Sequence, residues 1–375
     1  MVPRNGKHPP SLSYIWICLL LQILYFPPNT NRTLALKQSG ECISKSVKSS
    51  DAYLRTILVI KERAIDVFVV PLTICTLNAV IWTILINVSS IGKGLVLKDH
   101  IYTDVLSATL AFLLVFRLNR AALRWWDTRR MWGAIVANVR MMADGIMTHT
   151  THAPNECNDA IRWLAGFLIA TKQHLRNYDK FYIDSDELAG FLSKDEILLI
   201  SEAPHPVLYT ASEIRLALKQ AFHVSYNTSA AIGVAYSSQL CLLEQLLNNL
   251  IDNMGGLERV KSTPLPIAFV THLRTFCMLY LLSLPYLYSS TWGWGTISSV
   301  FLTSFALLGI DGAASECERP FKSRPNALNM EAFCLTGLNN IAQVVSHHSH
   351  FNKMRRSVGN HISRESFADN NASHV

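Results

Sequence analysis

The sequence predicts an all-α integral membrane protein, with four membrane-spanning helices and a helical domain on the inner side. Two observations on composition and patterning carry this, and a third orients it. Half of the 375 residues are hydrophobic and only 16% are charged, against about 25% in soluble domains. The apolar residues gather into long uncharged runs instead of being spread evenly, and mean hydropathy is +0.20. Lys and Arg flank the runs on one side, the bias that orients membrane helices.

Taken in order, the first apolar stretch runs from Leu12 to Phe26 behind Arg4 and Lys7 and stops at Pro27-Pro28, in the manner of a signal-peptide core. Residues 29–50 are polar, so 1–50 is read as a targeting, signal or anchor segment with its linker. The next run, 67–88, has no charge after Asp66 and is long enough to cross a bilayer; Pro71 sits near its start. A shorter span at 103–116 follows, with twelve uncharged residues from Val105 to Phe116, fewer than the ~20 a lone lipid-facing helix needs. That shortfall calls for shielding by protein or for a face on water. Residues 134–262 read as an inner helical region: apolar spacing of three to four over 161–175 and 213–227 continues through CLLEQLLNNLI to an expected stop at Gly255-Gly256. Spans at 265–288 and 292–310 close a core domain of 51–345, and 346–375 is a polar tail.

Arg55, Lys61 and Arg63 precede the 67–88 span, and five arginines (117, 120, 124, 129, 130) follow the short one. Arg259 and Lys261 precede the 265–288 span, and Arg319, Lys322 and Arg324 follow the last. All cationic flanks thus share one side, which gives four crossings with both ends of the core inside. A cleaved secretory signal at 12–26 would leave residue 30 outside, opposite to this. Either a second import step follows, as in a bipartite plastid address, or 12–26 is a further anchor, or it is a membrane-adjacent segment that is not cleaved. The corresponding locations are a plastid or thylakoid membrane, or the plasma membrane.

The net charge of +7 sits beside apolar runs and forms no extended polar face, which argues against nucleic acid as a partner. The eight cysteines form no CxxC pair. His149 with His152, and His347, His348 and His350, lack the further ligands that zinc requires, so no metal and no cofactor is expected. No phosphate loop, dinucleotide fingerprint or nucleophile elbow occurs, and no enzyme activity is expected.

Several residues stand out as site candidates. Ala108, Phe112 and Phe116 share one helix face at spacings of four, and the cations follow directly. Arg117 and Arg120 could draw anions to a mouth, or could orient the helix and bind lipid phosphates. Trp125, Trp126 and Trp132 read as an interfacial belt. His272 and Arg274 lie inside an apolar run, where ionisable groups face a cavity or a partner. With Arg124, Asp311, Glu316 and Glu318 they are assigned to a structural polar network.

Three blocks carry a resemblance: FRLNRAALRWWDTRRMWG (116–133), GGLERVKSTPLPIAFVTHLRTF (255–276) and LLGIDGAASECERPF (307–321). In this order and spacing they resemble the bestrophin-like anion (chloride) channel family, in its bacterial and plant-plastid branch. The resemblance implies a homopentamer with one pore on the fivefold axis, embedded in lipid. It implies a hydrophobic neck of Ala108, Phe112 and Phe116 and an inner aperture near Leu265. Chloride or another small anion, bicarbonate or nitrate among them, would be the permeant. A cation-conducting channel of the same fold, or a membrane transporter or scaffold, are the competing readings. Animal members follow the proline-phenylalanine with acidic residues that clasp calcium; here Lys322, Ser323 and Arg324 follow Phe321, which speaks against that clasp.

Overall fold

The computed structural model describes residues 65–88, 101–176, 185–225, 230–322, 324 and 326–349. The apolar segment 12–26, the linker 29–50, Ser323 and the tail from 350 lie outside the described residues. Among the described residues all regular structure is helical: α1 (Ile65–Val88), α2 (Ile101–His149), α3 (Pro154–Arg176), α4 (Ser185–Leu188), α5 (Lys194–Glu202), α6 (Pro206–Ser225), α7 (Ala230–Ser262), α8 (Ile267–Trp292) and α9 (Gly295–Cys317). A last helix, α10, covers 330–349. The chain divides into two compact units. Among the described residues, one holds Ile65–Arg130 together with Arg259–Leu328; the other holds Met131–Glu258 together with Asn329–Ser349.

The first unit is the membrane unit. α1, the apolar part of α2, α8 and α9 are the four helices long and apolar enough to cross a bilayer. Phe68, Leu72, Cys75 and Ala79 recur every three or four residues along α1. They pack with Leu110 and Leu114 of α2, Leu273, Cys277, Leu281 and Leu284 of α8, and Val300 and Leu308 of α9. Cysteine and alanine at these contacts let helix backbones approach, the packing mode that serves where lipid is the solvent. Asn78 adds a polar tie by donating its Nδ2 hydrogen to the Leu282 carbonyl at 3.1 Å. The outward faces carry Val70, Leu77, Ile81 and Leu302, all exposed, as a lipid-facing surface requires. α8 and α9 are joined by a tight turn in which Gly293 takes φ 52°, a conformation open to glycine at no steric cost.

The second unit is built around α3. From Ala160 to Leu175 every residue except Arg162 and His174 is buried, and a helix buried on nearly every side belongs at the centre of its bundle. α6 packs along it. α2 contributes Trp132, Ile135, Val139, Met142 and Ile146, one stripe of spacing three to four. α10 approaches so closely that a Cβ on Gly337 would lie 2.6 Å from Leu168 Cδ1, so a larger residue there would have to push the buried Leu168 side chain aside. α5 starts with a reciprocal capping box between Ser193 and Glu196. Buried Lys172 is neutralised by Glu187 at 2.6 Å, which Gln173 also contacts at 3.0 Å.

Three expectations change. The short span at 103–116 is part of one 49-residue helix that runs on to His149; nothing in it breaks the backbone, and Gly133 stays helical. Gly255-Gly256 does not stop α7, which continues to Ser262. Buried Met254 and Leu257 hold that turn in place; the stop comes before Pro264 and Pro266, where the amide hydrogens run out. Trp132 belongs to no interfacial belt: it is fully buried and stacks on Phe333, with centroids 6.0 Å apart.

Candidate functional site

The α2 helix presents two opposed faces within the membrane unit. Leu110, Leu114, Arg117 and Ala121 turn inward and are buried. On the other side Ala108, Phe112 and Phe116 are exposed, Phe112 at 70% and Phe116 at 42%. The two rings stack with centroids 6.3 Å apart at an interplanar angle of 20°. The ridge continues one turn further into Arg120, whose guanidinium carbon lies 5.3 Å from the Phe116 ring centre. This is cation–π distance. An apolar ridge ending in an exposed, pre-oriented cation is therefore what α2 offers to whatever lies beside it.

The inward face carries a charge cluster. Arg117 is fully buried and pairs with Asp311; it donates to Glu318 Oε1 at 3.3 Å and to Ser315 Oγ at 3.1 Å. Arg274 reaches the same two α9 groups from α8, donating to Asp311 Oδ2 at 3.0 Å and to Ser315 Oγ at 2.9 Å. Asp311, Ser315 and Glu318 lie at i, i+4 and i+7, one face of α9. Two guanidiniums therefore meet two carboxylates, and the cluster is neutral as a whole. Full compensation is what lets ionic groups persist in an apolar surround.

Arg117 consequently cannot serve as a free anion-attracting cation, because its hydrogens are spent inside the bundle. Of the two mouth candidates only Arg120 is exposed. Arg124 is structural, but it acts on main-chain groups: it donates to the Thr263 carbonyl at 2.8 Å, the Glu318 carbonyl at 3.3 Å and the Val260 carbonyl. Val260 and Thr263 lie at the end of α7, where carbonyls have no helical partner left, and a cation there meets both that need and the helix dipole. His272 is not in the cluster; it is exposed and lies against Phe276, with ring centroids 4.7 Å apart. Glu316 belongs to a separate node, where Arg324 pairs with it and reaches Asp66 at 3.1 Å. Its hydrogen bond to Glu316 raises the Arg324 pKa above the ordinary arginine value.

Leu265 is half-buried in the non-helical Pro264–Pro266 connection between α7 and α8. Trp125 is half-buried and Trp126 is exposed, as a belt position allows. Ser315 and Arg324 join these nodes without standing out in the sequence, although Ser315 lies one helical turn beyond Asp311. Cys334 is no reactive group: burial pushes its thiol up to about 12.

The sequence model described as bacterial and fungal bestrophin protein matches residues 45–343, which include all three resemblance blocks. A voltage-dependent anion channel-forming protein of Nostoc sp. is 36% identical over 244 residues, 64% of this chain and 76% of that protein. One of Synechocystis sp. is 29% identical over 243 residues, 64% of this chain and 75% of its own. The crystal structure of a bacterial bestrophin homolog from Klebsiella pneumoniae superposes with a TM-score of 0.65 at 21% identity, covering 74% of this chain and 98% of that one. The likeness in fold, the four apolar helices and the ordered motifs agree: this chain is an integral membrane protein of the bestrophin family.

Proposed function

We propose that this chain conducts small anions, chloride foremost, passively through a pore on the symmetry axis of a homo-oligomer, with Ala108, Phe112 and Phe116 forming its neck. The observation that carries this is the exposed α2 ridge ending in Arg120, on a chain whose relatives are named anion channel-forming proteins. An aromatic ring is positive at its edge, so rings of phenylalanine suit a partly dehydrated anion. A narrow apolar neck also gates by dewetting. Arg120 raises the local anion concentration at one end of the ridge. Leu265 is the proposed inner aperture, residues 51–345 are the channel domain, and Trp125 and Trp126 anchor it in lipid. The deciding experiment is a single-channel recording after reconstitution under a chloride gradient. Stepwise currents that reverse near the chloride potential are expected. Reversal at the cation potential would make this a cation channel of the same fold, and no steps at all would make it a transporter or scaffold.

A ridge with Asn119 and Arg120 exposed next to two phenylalanines is poorly suited to lipid and well suited to a shared axis. Five copies are proposed. Mass measurement in mild detergent is expected to give a pentamer, and a stable monomer would remove the axis on which the neck depends.

Calcium gating through the segment after Phe321 is not expected. Arg324 places a cation there and spends it on Glu316 and Asp66, whereas Ca²⁺ requires several oxygen ligands. Currents should persist in chelator; steep dependence on micromolar calcium would contradict this.

A further inference from the structure

His174 on α3, His205 at the start of α6 and Glu258 near the end of α7 converge within the second unit. His174 Nε2 lies 2.5 Å, and His205 Nε2 2.8 Å, from the same oxygen, Glu258 Oε1. The imidazole centroids are 4.9 Å apart. One potential ligand atom from each residue lies within 4.8 Å of the others, and all three side chains are half-buried. Sequence spacing hides the group, since its two contacts join residues 84 and 53 positions apart.

We propose that His174, His205 and Glu258 form a binding site for a divalent transition metal, zinc before others. Two imidazoles and a carboxylate are the donor set of three-ligand zinc sites whose fourth position stays with water. Mixed nitrogen and oxygen donors select zinc over the hard cations Mg²⁺ and Ca²⁺. Zinc bonds of about 2.0–2.2 Å at tetrahedral angles keep ligand atoms roughly 3.3 Å apart. The Glu258 carboxylate has to retreat from each ring nitrogen by less than ~1 Å, and the two imidazoles, whose ligand atoms lie within 4.8 Å, have to settle at the same ~3.3 Å by turning about their side-chain bonds. The backbone at both histidines is held in place. Pro204 and Pro206 flank His205, and its Nδ1 accepts the Leu208 N–H at 3.2 Å, capping the first turn of α6. His174 sits on the most deeply packed helix of the unit.

A hydrogen bond at His205 opposes the metal. Zinc on His205 Nε2 forces the ring proton onto Nδ1, and the Leu208 N–H then loses its acceptor. That is a single long, neutral hydrogen bond at a half-exposed helix end, where water can replace it. A metal–imidazole bond outweighs it, and the cost lowers affinity without abolishing binding. A bound ion would tie α3, α6 and α7 at one point, independently of what the pore conducts.

The test uses the full chain in detergent, freed of its affinity tag and stripped with chelator, with Zn²⁺ and Co²⁺ as probes. Competition against a chromophoric chelator is expected to give one Zn²⁺ per chain, and Co²⁺ the intense visible bands of a four-coordinate site. His174→Ala, His205→Ala and Glu258→Gln should each weaken binding by more than the ~10–100-fold lost when a residue that merely orients a ligand is changed. The triple variant His347→Ala, His348→Ala, His350→Ala should bind as before. Zn²⁺ should raise the melting temperature of the parent chain and leave the single variants unmoved. The proposal is overturned if the parent chain binds no Zn²⁺, or if affinity survives in the His174→Ala, His205→Ala double variant. Should the variants fail to fold, weak six-coordinate Co²⁺ bands in the parent chain would overturn it alone.

Discussion

Replacing Phe112 and Phe116 together with alanine is expected to raise single-channel conductance or open probability severalfold and to weaken discrimination among anions. The rings stack 6.3 Å apart on an exposed face, so their truncation removes little from the packing of the chain itself. In the proposed oligomer each position repeats around the axis, and losing both widens two successive rings. A wider, less apolar neck stays wet, which removes the dewetting barrier. It also lets ions keep more of their water, so size and hydration energy sort them less. Arg120→Ala gives the complementary result: conductance falls most at low ionic strength, where the field of a fixed cation reaches furthest. If the double alanine variant left conductance, gating and selectivity all unchanged, the neck would lie on another helix.

Arg117→Met is expected to destabilise the folded chain by about 3–5 kcal/mol, the usual cost of removing one partner from a buried ion pair. In practice this means loss of folded protein in detergent, read as yield and melting temperature. Asp311 and Glu318 are nearly as buried as Arg117, with side-chain exposures of 11% and 16%. Their charges would be left facing a thioether. Arg274 remains bonded to Asp311 but cannot neutralise both acids. Adding Asp311→Asn to Arg117→Met should recover part of the loss, because one stranded charge disappears with its partner. Strictly additive effects of the two changes would show that they do not act as a pair. Arg120→Ala again supplies the contrast: an exposed cation–π contact is worth only ~0.5–1 kcal/mol, so that variant should fold and fail, if at all, in conduction.

Apolar length and flanking charge are local properties, and for that reason the four spans were legible in the chain. So was the α2 stripe of Ala108, Phe112 and Phe116, since helical spacing alone puts these residues on one face. Arg117 lies one residue beyond Phe116 and in sequence reads as one of the mouth cations, because sequence cannot say where a side chain's partner will stand. Its partners are 194 to 201 residues away. The helical rotation that exposes Phe116 turns position 117 towards α9. Beside Trp125 and Trp126, Trp132 reads as a membrane-surface residue, yet it is fully buried and stacks on Phe333. The Gly255-Gly256 pair has the chemistry of a helix stop, but burial on either side kept it helical, and two prolines later ended the helix instead.

His174, His205 and Glu258 left no trace in spacing or composition, since they come from three helices that meet only when α3 is enclosed. Hydrophobic period, charge bias and ordered motifs therefore specified the class, the spans and the family. Which cation is buried, which tryptophan is core and which histidines meet depend on helix packing, because desolvation and pairing are settled by neighbours far along the chain.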